Sequence, residues 1–184
     1  MGRGPKAMGR ALPRCEGGVS ERRLYQGGGL GLVDDKGRVA IPNALRSILA
    51  ENAPRPDGKD GGTIIVAVHE DQPCLMAYDP AYLSELKLEL DRRAELSRGA
   101  DGKVDPNIKR GGANGEAVPF DGSGRFIMPG FPRFHAGIAQ NAFFWGTFDY
   151  IEIWDPATLL ATPGVAPAMV SACRYHCQEK GIAL

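Results

Sequence analysis

Two short segments share a pattern of aspartate, glycine and arginine whose chemistry suits binding to a nucleic acid. Residues 34–46 read DDKGRVAIPNALR and residues 121–133 read DGSGRFIMPGFPR, with five of thirteen positions identical at an offset of 87. Arg38 and Arg125 each carry a rigid fork of N–H donors that matches phosphate oxygens or guanine edges. Lys36 adds a second cation to the first copy. A repeated turn of this kind could form one basic platform for a DNA duplex.

The same pattern also has a purely structural interpretation. Asp34 and Asp121 can accept hydrogen bonds from turn amides, and Gly37 and Gly124 can supply a backbone angle that other residues rarely adopt. We therefore assign these four residues to the building of the hairpins. An arginine four positions after each aspartate could equally close a local ion pair, so at this level Arg38 has two competing roles.

Catalytic arrangements are not recognisable in the chain. The histidines lie in unrelated contexts, and the sequence lacks the common hydrolase, metalloprotease and phosphate-loop motifs. Asp34 and Asp121 could be imagined as an acid pair, but the nearby arginines favour their ionised form and argue against proton transfer. We therefore expect no catalytic residues, no cofactor and no small-molecule ligand, and the chain is not predicted to be an enzyme.

The C-terminal segment CRYHC brings three possible metal ligands together, namely Cys173, His176 and Cys177. Structural zinc sites usually need four ligands in separated pairs. The four cysteines of the chain are scattered and nothing indicates secretion, so free thiols and no metal site are expected.

Hydrophobic alternation and turn residues predict which elements position the two arginine turns. Each copy reads as two strands around a tight turn, a short helix, two more strands, and an Asp-Pro helix start. In the first copy these are 29–34, 37–42, 43–51, 63–69, 74–78 and a helix over 80–97. In the second copy they are 116–121, 124–129, 130–138, 142–148 and 150–154. Asn43, Asp79 and Asp155 are the predicted helix caps.

Size and composition limit the architecture. The chain has 184 residues, 43% of them hydrophobic and 24% charged, with a formal net charge of zero. Each copy is marginal for burying a core alone, so the two copies are expected to pack against each other. No apolar run approaches the length of a membrane span, and no secretory signal is evident, so a cytoplasmic protein is expected.

The composition also changes along the chain. Residues 1–33 carry a net charge of +4, and the rest of the chain carries −4. We predict a disordered basic leader over 1–23, a first repeat over 24–83, a helical connector over 84–115, a second repeat over 116–160 and a tail over 161–184.

These residues resemble the MraZ family, bacterial proteins with tandem SpoVT/AbrB-type domains. The resemblance rests on LVDDKGRVAIP, FDGSGRFIMP, PCLMAY, HAGI and IEIWD, and it covers about residues 24–160. It implies a mainly β protein with short helices (α+β), folded as a swapped-hairpin double-split β-barrel of two internal repeats. It also implies a DNA-binding, nucleoid-associated regulator, usually a repressor of the division and cell wall gene cluster, that binds short direct repeats as a ring-like oligomer.

The resemblance assigns DNA contact to Arg38 and Arg125, with Lys36 alongside. The chain departs from the family pattern in its extra leader, in a connector diluted by glycine, and at Ser123, the uncharged counterpart of Lys36. An antitoxin-like regulator, or a swapped-hairpin module that binds protein instead of promoter DNA, is the alternative.

Overall fold

The computed structural model describes residues 22–53, 58 and 60–184. Its strands are β1 (Gly28–Leu32), β2 (Arg38–Ala40), β3 (Gly61–Val68), β4 (Leu75–Tyr78), β5 (Glu116–Asp121), β6 (Arg125–Ile127), β7 (Asn141–Gly146) and β8 (Ile151–Trp154). Its helices are α1 (Asn43–Asn52), α2 (Tyr82–Leu96), α3 (Pro106–Gly112), α4 (Gly130–His135), α5 (Pro156–Ala161) and α6 (Pro167–Glu179). The order of elements follows the prediction in both repeats.

The strands around each arginine turn pair with the other repeat. The large sheet has the order β1-β7-β8-β4-β3-β5, and a separate two-stranded sheet pairs β2 with β6. The first strand of each repeat therefore joins the third strand of the other, β1 with β7 and β5 with β3. The two hairpins are therefore exchanged between the repeats, because β1 and β2 pair with strands of the second repeat and not with each other. The swapped-hairpin, double-split barrel of two repeats is confirmed.

A pseudo-twofold axis relates the two repeats. Val39 lies opposite Phe126, its own counterpart at the offset of 87. In the large sheet, Met76 lies opposite Glu152, its counterpart at the offset of 76. Because each pair joins equivalent positions, the axis passes through the centres of both sheets. One chain is thus a pseudo-dimer.

The main core is shared between the repeats. Leu45 and Leu49 of α1 pack in one buried cluster with Phe120, Phe126 and Ile153 of the second repeat. Each repeat alone is too short to bury such a cluster, so the two halves depend on each other for their hydrophobic stabilisation.

Each half of the large sheet is covered by helices on its outer face. Tyr82 and Leu86 of α2 pack on the β3–β4 half. On the other half, Cys173 and Cys177 of α6 are buried against Trp154. Burial raises the pKa of the Cys173 thiol to about 12, so this cysteine is held as a neutral apolar group.

The predicted helix caps have different outcomes. Asp155 caps α5 as predicted, accepting from Thr158 N at 2.9 Å. Asn43 is not a cap, because it already belongs to α1 and Pro42 occupies the cap position with extended backbone angles. The helix expected directly after Asp79 begins two residues later, at Tyr82, and Asp79 Oδ1 accepts from the backbone N–H of Tyr82 at 3.2 Å.

The predicted basic leader, residues 1–23, lies outside the described residues except for Arg22 and Arg23. Arg22 Nε contacts Asp79 Oδ2 at 2.7 Å, and Arg23 Nη1 contacts Glu51 Oε2 at 2.6 Å. Arg22 Nη2 also donates to the backbone oxygen of Asp149, so Arg22 contacts both repeats and Arg23 contacts the first. Among the described residues, no helix is both long and apolar enough to cross a membrane.

Candidate nucleic-acid interface

The first arginine turn is organised by one carboxylate. Asp34 Oδ1 accepts from the backbone N–H of Lys36 at 2.9 Å and from that of Arg38 at 2.8 Å. Gly37 has φ 78°, the left-handed conformation that the sequence predicts for it. The aspartate therefore fixes the conformation of the turn, and strand β2 begins directly after it, at Arg38.

The second turn repeats this geometry at the equivalent positions. Asp121 Oδ1 accepts from the backbone N–H of Ser123 and of Arg125, both at 2.9 Å. Gly124 has φ 76°. Two sequence segments of different composition thus produce the same turn, because aspartate, glycine and arginine hold the same three places.

The turns are also braced across the pseudo-twofold axis. Met128 N donates to Gly37 O, and Ile41 N donates to Gly124 O, both at 2.9 Å. A β-carbon on Gly124 would come within 2.6 Å of Arg46 Cδ. Arg46 and Arg133 are one of the five identical pairs in the repeated segments, but the sequence pattern does not indicate that each lies beside the glycine of the opposite turn.

We expect Gly37→Ala and Gly124→Ala to lower the free energy of unfolding by about 1–3 kcal/mol each, because alanine is strained at positive φ. Gly124→Ala should be the more damaging of the two, since its β-carbon would lie 2.6 Å from Arg46 Cδ, whereas one on Gly37 would lie 3.1 Å from Arg133 Nη1. Urea unfolding followed by tryptophan fluorescence measures the difference. Gly130→Ala is the matched control, because a β-carbon there has no neighbour within 4 Å. Equal stability of all three variants would contradict the assignment.

Strands β2 and β6 form a ribbon with one buried and one exposed face. Val39 and Phe126 point into the core, each 2% exposed. Arg38 lies opposite Ile127, and Ala40 lies opposite Arg125. These four residues alternate with the buried pair, so all four occupy the exposed face. Arg38 and Arg125 are diagonal neighbours, with α-carbons roughly 7–8 Å apart in such a ladder.

Each arginine is held by its own turn but keeps its fork available. Arg38 Nε contacts Asp34 Oδ2 at 2.6 Å, and Arg125 Nε contacts Asp121 Oδ2 at 3.0 Å. In the described part of the chain, only Nε of each side chain is hydrogen-bonded, which leaves both terminal nitrogens free. The arginine side chains are 57% and 64% exposed, and such surface ion pairs are weak.

The carboxylates of both turns remain charged near neutral pH. Backbone and side-chain hydrogen bonds from Arg38 lower the pKa of Asp34, and those from Arg125 lower the pKa of Asp121. An ionised carboxylate is the better acceptor for the turn amides and for the guanidinium. The two interpretations of the arginines are therefore compatible, since the ion pair orients a side chain that still presents free donors.

A groove of about 700 Å³ runs along the ribbon and is lined by five equivalent pairs from the two repeats and by Phe120, whose counterpart Val33 does not line it. The pairs that line it are Leu32 with Pro119, Asp34 with Asp121, Arg38 with Arg125, Val39 with Phe126, and Ala40 with Ile127. Lys36 is exposed on the adjacent turn. The structure thus brings the three predicted DNA contacts to one surface. Sequence reasoning missed Leu32, Ala40 and Ile127, although strand alternation from Arg38 would have placed Ala40 on its face.

The histidines and cysteines do not form a metal site in the part of the chain that the structure describes. No group of three or more His, Cys, Asp or Glu side chains there could hold a metal ion. His176 lies in α6 near Glu179, and His69 Nε2 lies 3.5 Å from the Tyr150 hydroxyl.

Proteins similar to this chain are named as transcriptional regulators. The chain is 27% identical over 135 residues to a protein of Yersinia enterocolitica named transcriptional regulator MraZ, covering 73% of this chain and 82% of that protein. It is 27% identical over 138 residues to proteins of the same name in Escherichia coli and Shigella boydii, with the same coverage. No family model matches the chain. The relatives are named as regulators rather than enzymes, which fits the expectation that this chain is not an enzyme.

Proposed function

We propose that this chain, a member of the MraZ family of transcriptional regulators, binds double-stranded DNA through the exposed face of the β2–β6 ribbon. Arg38 and Arg125 contact guanine edges or phosphates, and Lys36 contacts a phosphate beside Arg38. The observation that carries the proposal is the placement of both arginine forks on one exposed two-stranded ribbon.

The shape of the ribbon suits a DNA groove. The major groove is wide enough for a two-stranded β-ribbon, and arginine bound to guanine O6 and N7 is the commonest specific contact there. Because both turns are braced across the repeats, the two forks are presented at a fixed spacing. A rigid spacing favours specific binding, since little side-chain freedom is lost when DNA binds.

The direct test compares two duplexes by fluorescence anisotropy. One holds the DNA upstream of the chain's own gene, and the other has the same base composition in shuffled order. We expect tighter binding to the upstream duplex at both low and high salt, with overall affinity falling as salt rises. Equal affinity for the two duplexes would overturn the proposal.

Charge on the interface argues for several chains acting together. Lys36, Arg38 and Arg125 are balanced by Asp34, Asp35 and Asp121 on the same turns. One chain therefore supplies little net attraction for phosphate. Linked binding of several chains to repeated sites raises the overall affinity without new contacts. The proposal includes a ring-like homo-oligomer on short direct repeats.

An exposed aromatic pair supports association between copies. Phe131 and Phe134 of α4 are 59% and 84% exposed, whereas the equivalent residues of the first repeat are the small Ala44 and Ser47. A ring needs two different surfaces that meet head to tail, and large and small side chains at equivalent positions provide such a pair.

We expect sedimentation to show an oligomer that Phe131→Ala with Phe134→Ser shifts toward the monomer, because the variant removes the aromatic half of this contact. Leu88→Ala, at an exposed site on α2, is the control. A wild-type monomer at micromolar concentration, or an unchanged oligomer in the variant, would contradict this part of the proposal.

The regulated promoter is proposed to be that of the division and cell wall gene cluster, with repression as the usual outcome and the nucleoid as the location. A reporter fused to that promoter, measured with and without the chain, tests this step. The alternative of an antitoxin-like or protein-binding module predicts no preference for promoter DNA in the anisotropy experiment.

A further inference from the structure

The two ends of the ribbon are built from both repeats. Because β2 and β6 are antiparallel, Arg38 of the first repeat meets Ile127 of the second at one end, next to the turn that carries Lys36. At the other end Arg125 meets Ala40, next to the turn that carries Ser123. We call these the first end and the second end of the ribbon.

The departures from pseudo-symmetry fall at the same end. The first end holds an additional cation, Lys36, with an additional anion, Asp35, beside it in place of Gly122, and it holds a large apolar side chain, Ile127. The second end holds the uncharged Ser123 and the small Ala40 at the equivalent positions. The two arginines, by contrast, are matched in turn geometry and ion pairing. The ribbon thus offers one common contact at both ends and two further contacts at only one.

Ile127 is unusual among the strand residues of the interface. It is 58% exposed, although its neighbours Phe126 and Met128 are buried. Leu32, 61% exposed, lies in the same groove. An apolar side chain held beside an arginine on a rigid strand has a natural partner in the major groove, where the 5-methyl group of thymine is the apolar feature.

We propose that Ile127 is a specificity-determining residue that contacts a thymine methyl group beside the site bound by Arg38. The inference rests on the proposed function and adds the orientation of the chain on its DNA site. Lys36 strengthens the same end through a phosphate, while Ala40 is too short to make the equivalent contact at the second end. The chain therefore binds its site in one orientation. A single orientation is what successive direct repeats require, whereas a symmetric ribbon would fit both orientations equally.

Deoxyuridine substitution tests the contact, because it removes the thymine methyl group and changes nothing else. The wild-type chain is first used to enrich a specific duplex from a randomised library, and each thymine of that duplex is then replaced in turn. Burial of one methyl group corresponds to about a fourfold change in affinity. We expect a loss of about fourfold per site at one thymine for the wild type, and none there for Ile127→Ala.

The controls separate this contact from general effects. Leu88→Ala removes an equally exposed apolar side chain from α2 and should keep the thymine preference of the wild type. Ala40→Ile with Ser123→Lys gives the second end the apolar side chain and the lysine of the first, while Gly122 stays in place of Asp35. In that variant, deoxyuridine at a second thymine should also lower the affinity. The difference in affinity between the original site and the reversed site should become smaller.

The outcomes distinguish the inference from the function on which it rests. Failure to enrich any duplex overturns both. A specific duplex that is insensitive to deoxyuridine at every thymine overturns the role of Ile127 alone, as does unchanged sensitivity in Ile127→Ala. Circular dichroism of Ile127→Ala verifies that the exposed substitution leaves the fold intact.

Discussion

Replacement of Arg38 and Arg125 together by alanine is expected to weaken binding to a specific duplex by at least about thirtyfold. A good bidentate contact from arginine to a base is worth about 1–3 kcal/mol, and the variant removes two of them. The fold should persist, because both side chains are mostly exposed and their ion pairs with Asp34 and Asp121 are surface pairs of small net worth. Anisotropy titrations at several salt concentrations measure the loss.

The salt dependence of binding by Arg38→Ala and by Arg125→Ala, each made alone, identifies whether that arginine contacts a phosphate or a base. Loss of a phosphate contact weakens binding to all DNA sequences equally. It also reduces the slope of log affinity against log salt concentration by about one unit. Loss of a guanine contact instead relaxes the preference at one base pair. Arg38→Lys and Arg125→Lys help to separate these cases, because lysine keeps the charge but lacks the planar fork.

The matched control replaces Arg92 and Arg98, two exposed arginines on and just after α2, by alanine. This variant loses the same formal charge but leaves the ribbon unchanged. If it weakened binding as much as the ribbon variant, binding would depend on overall charge and the assigned interface would be wrong. Unchanged binding by the ribbon variant would contradict the assignment in the same way.

The repeated sequence pattern predicts much of this architecture, because the structural features it specifies depend on residues that are close together in the chain. Turn aspartates, positive-φ glycines and alternating strands depend on neighbours within a few residues, and they correctly place Gly37, Gly124 and the β3–β4 hairpin. The faces of the strands follow from the same alternation. The fold class rests in addition on the family resemblance, because local patterns do not specify how strands of two repeats combine.

Pairing between repeats is not specified by the local patterns and was predicted only from the family resemblance. A period of two tells which face of β2 is buried, but any strand with a matching face could pair with it. The observed partner, β6, depends on burial of Val39 against Phe126 from 87 positions away. The exposed Ile127 was missed for the same reason, since its importance comes from facing Arg38 across that pairing.

The Asp-Pro pair shows a different limit of local patterns. Asp79 and Asp155 occupy equivalent positions before proline, and both are predicted helix caps. The side chain of Asp155 accepts only from Thr158 among the described residues, whereas Asp79 is fully buried. Asp79 Oδ2 accepts from Arg22 Nε at 2.7 Å and from the Tyr25 hydroxyl at 2.8 Å. The difference arises from Arg22, a residue assigned by composition to a disordered leader.

This buried network predicts that the two equivalent aspartates contribute unequally to stability. Asp79→Ala is expected to lower the free energy of unfolding by about 3–5 kcal/mol, because it leaves the largely buried Arg22 guanidinium without its carboxylate partner and the Tyr25 hydroxyl without its acceptor. Asp155→Ala removes only a helix cap and should cost about 1 kcal/mol. Urea unfolding of the two variants gives the comparison directly.

A double-mutant cycle attributes the difference to the ion pair. If Arg22 accounts for most of the cost, Asp79→Ala should destabilise an Arg22→Ala background far less than the wild type, because the uncompensated charge is already gone. Equal costs in both backgrounds would place the effect on Tyr25 instead. Equal stability of Asp79→Ala and Asp155→Ala would show that the contacts of Asp79 with Arg22 and Tyr25 add no more stability than a helix cap. The larger cost at Asp79 would make that segment an integral part of the first repeat, joined to it by a buried charge pair that the second repeat lacks.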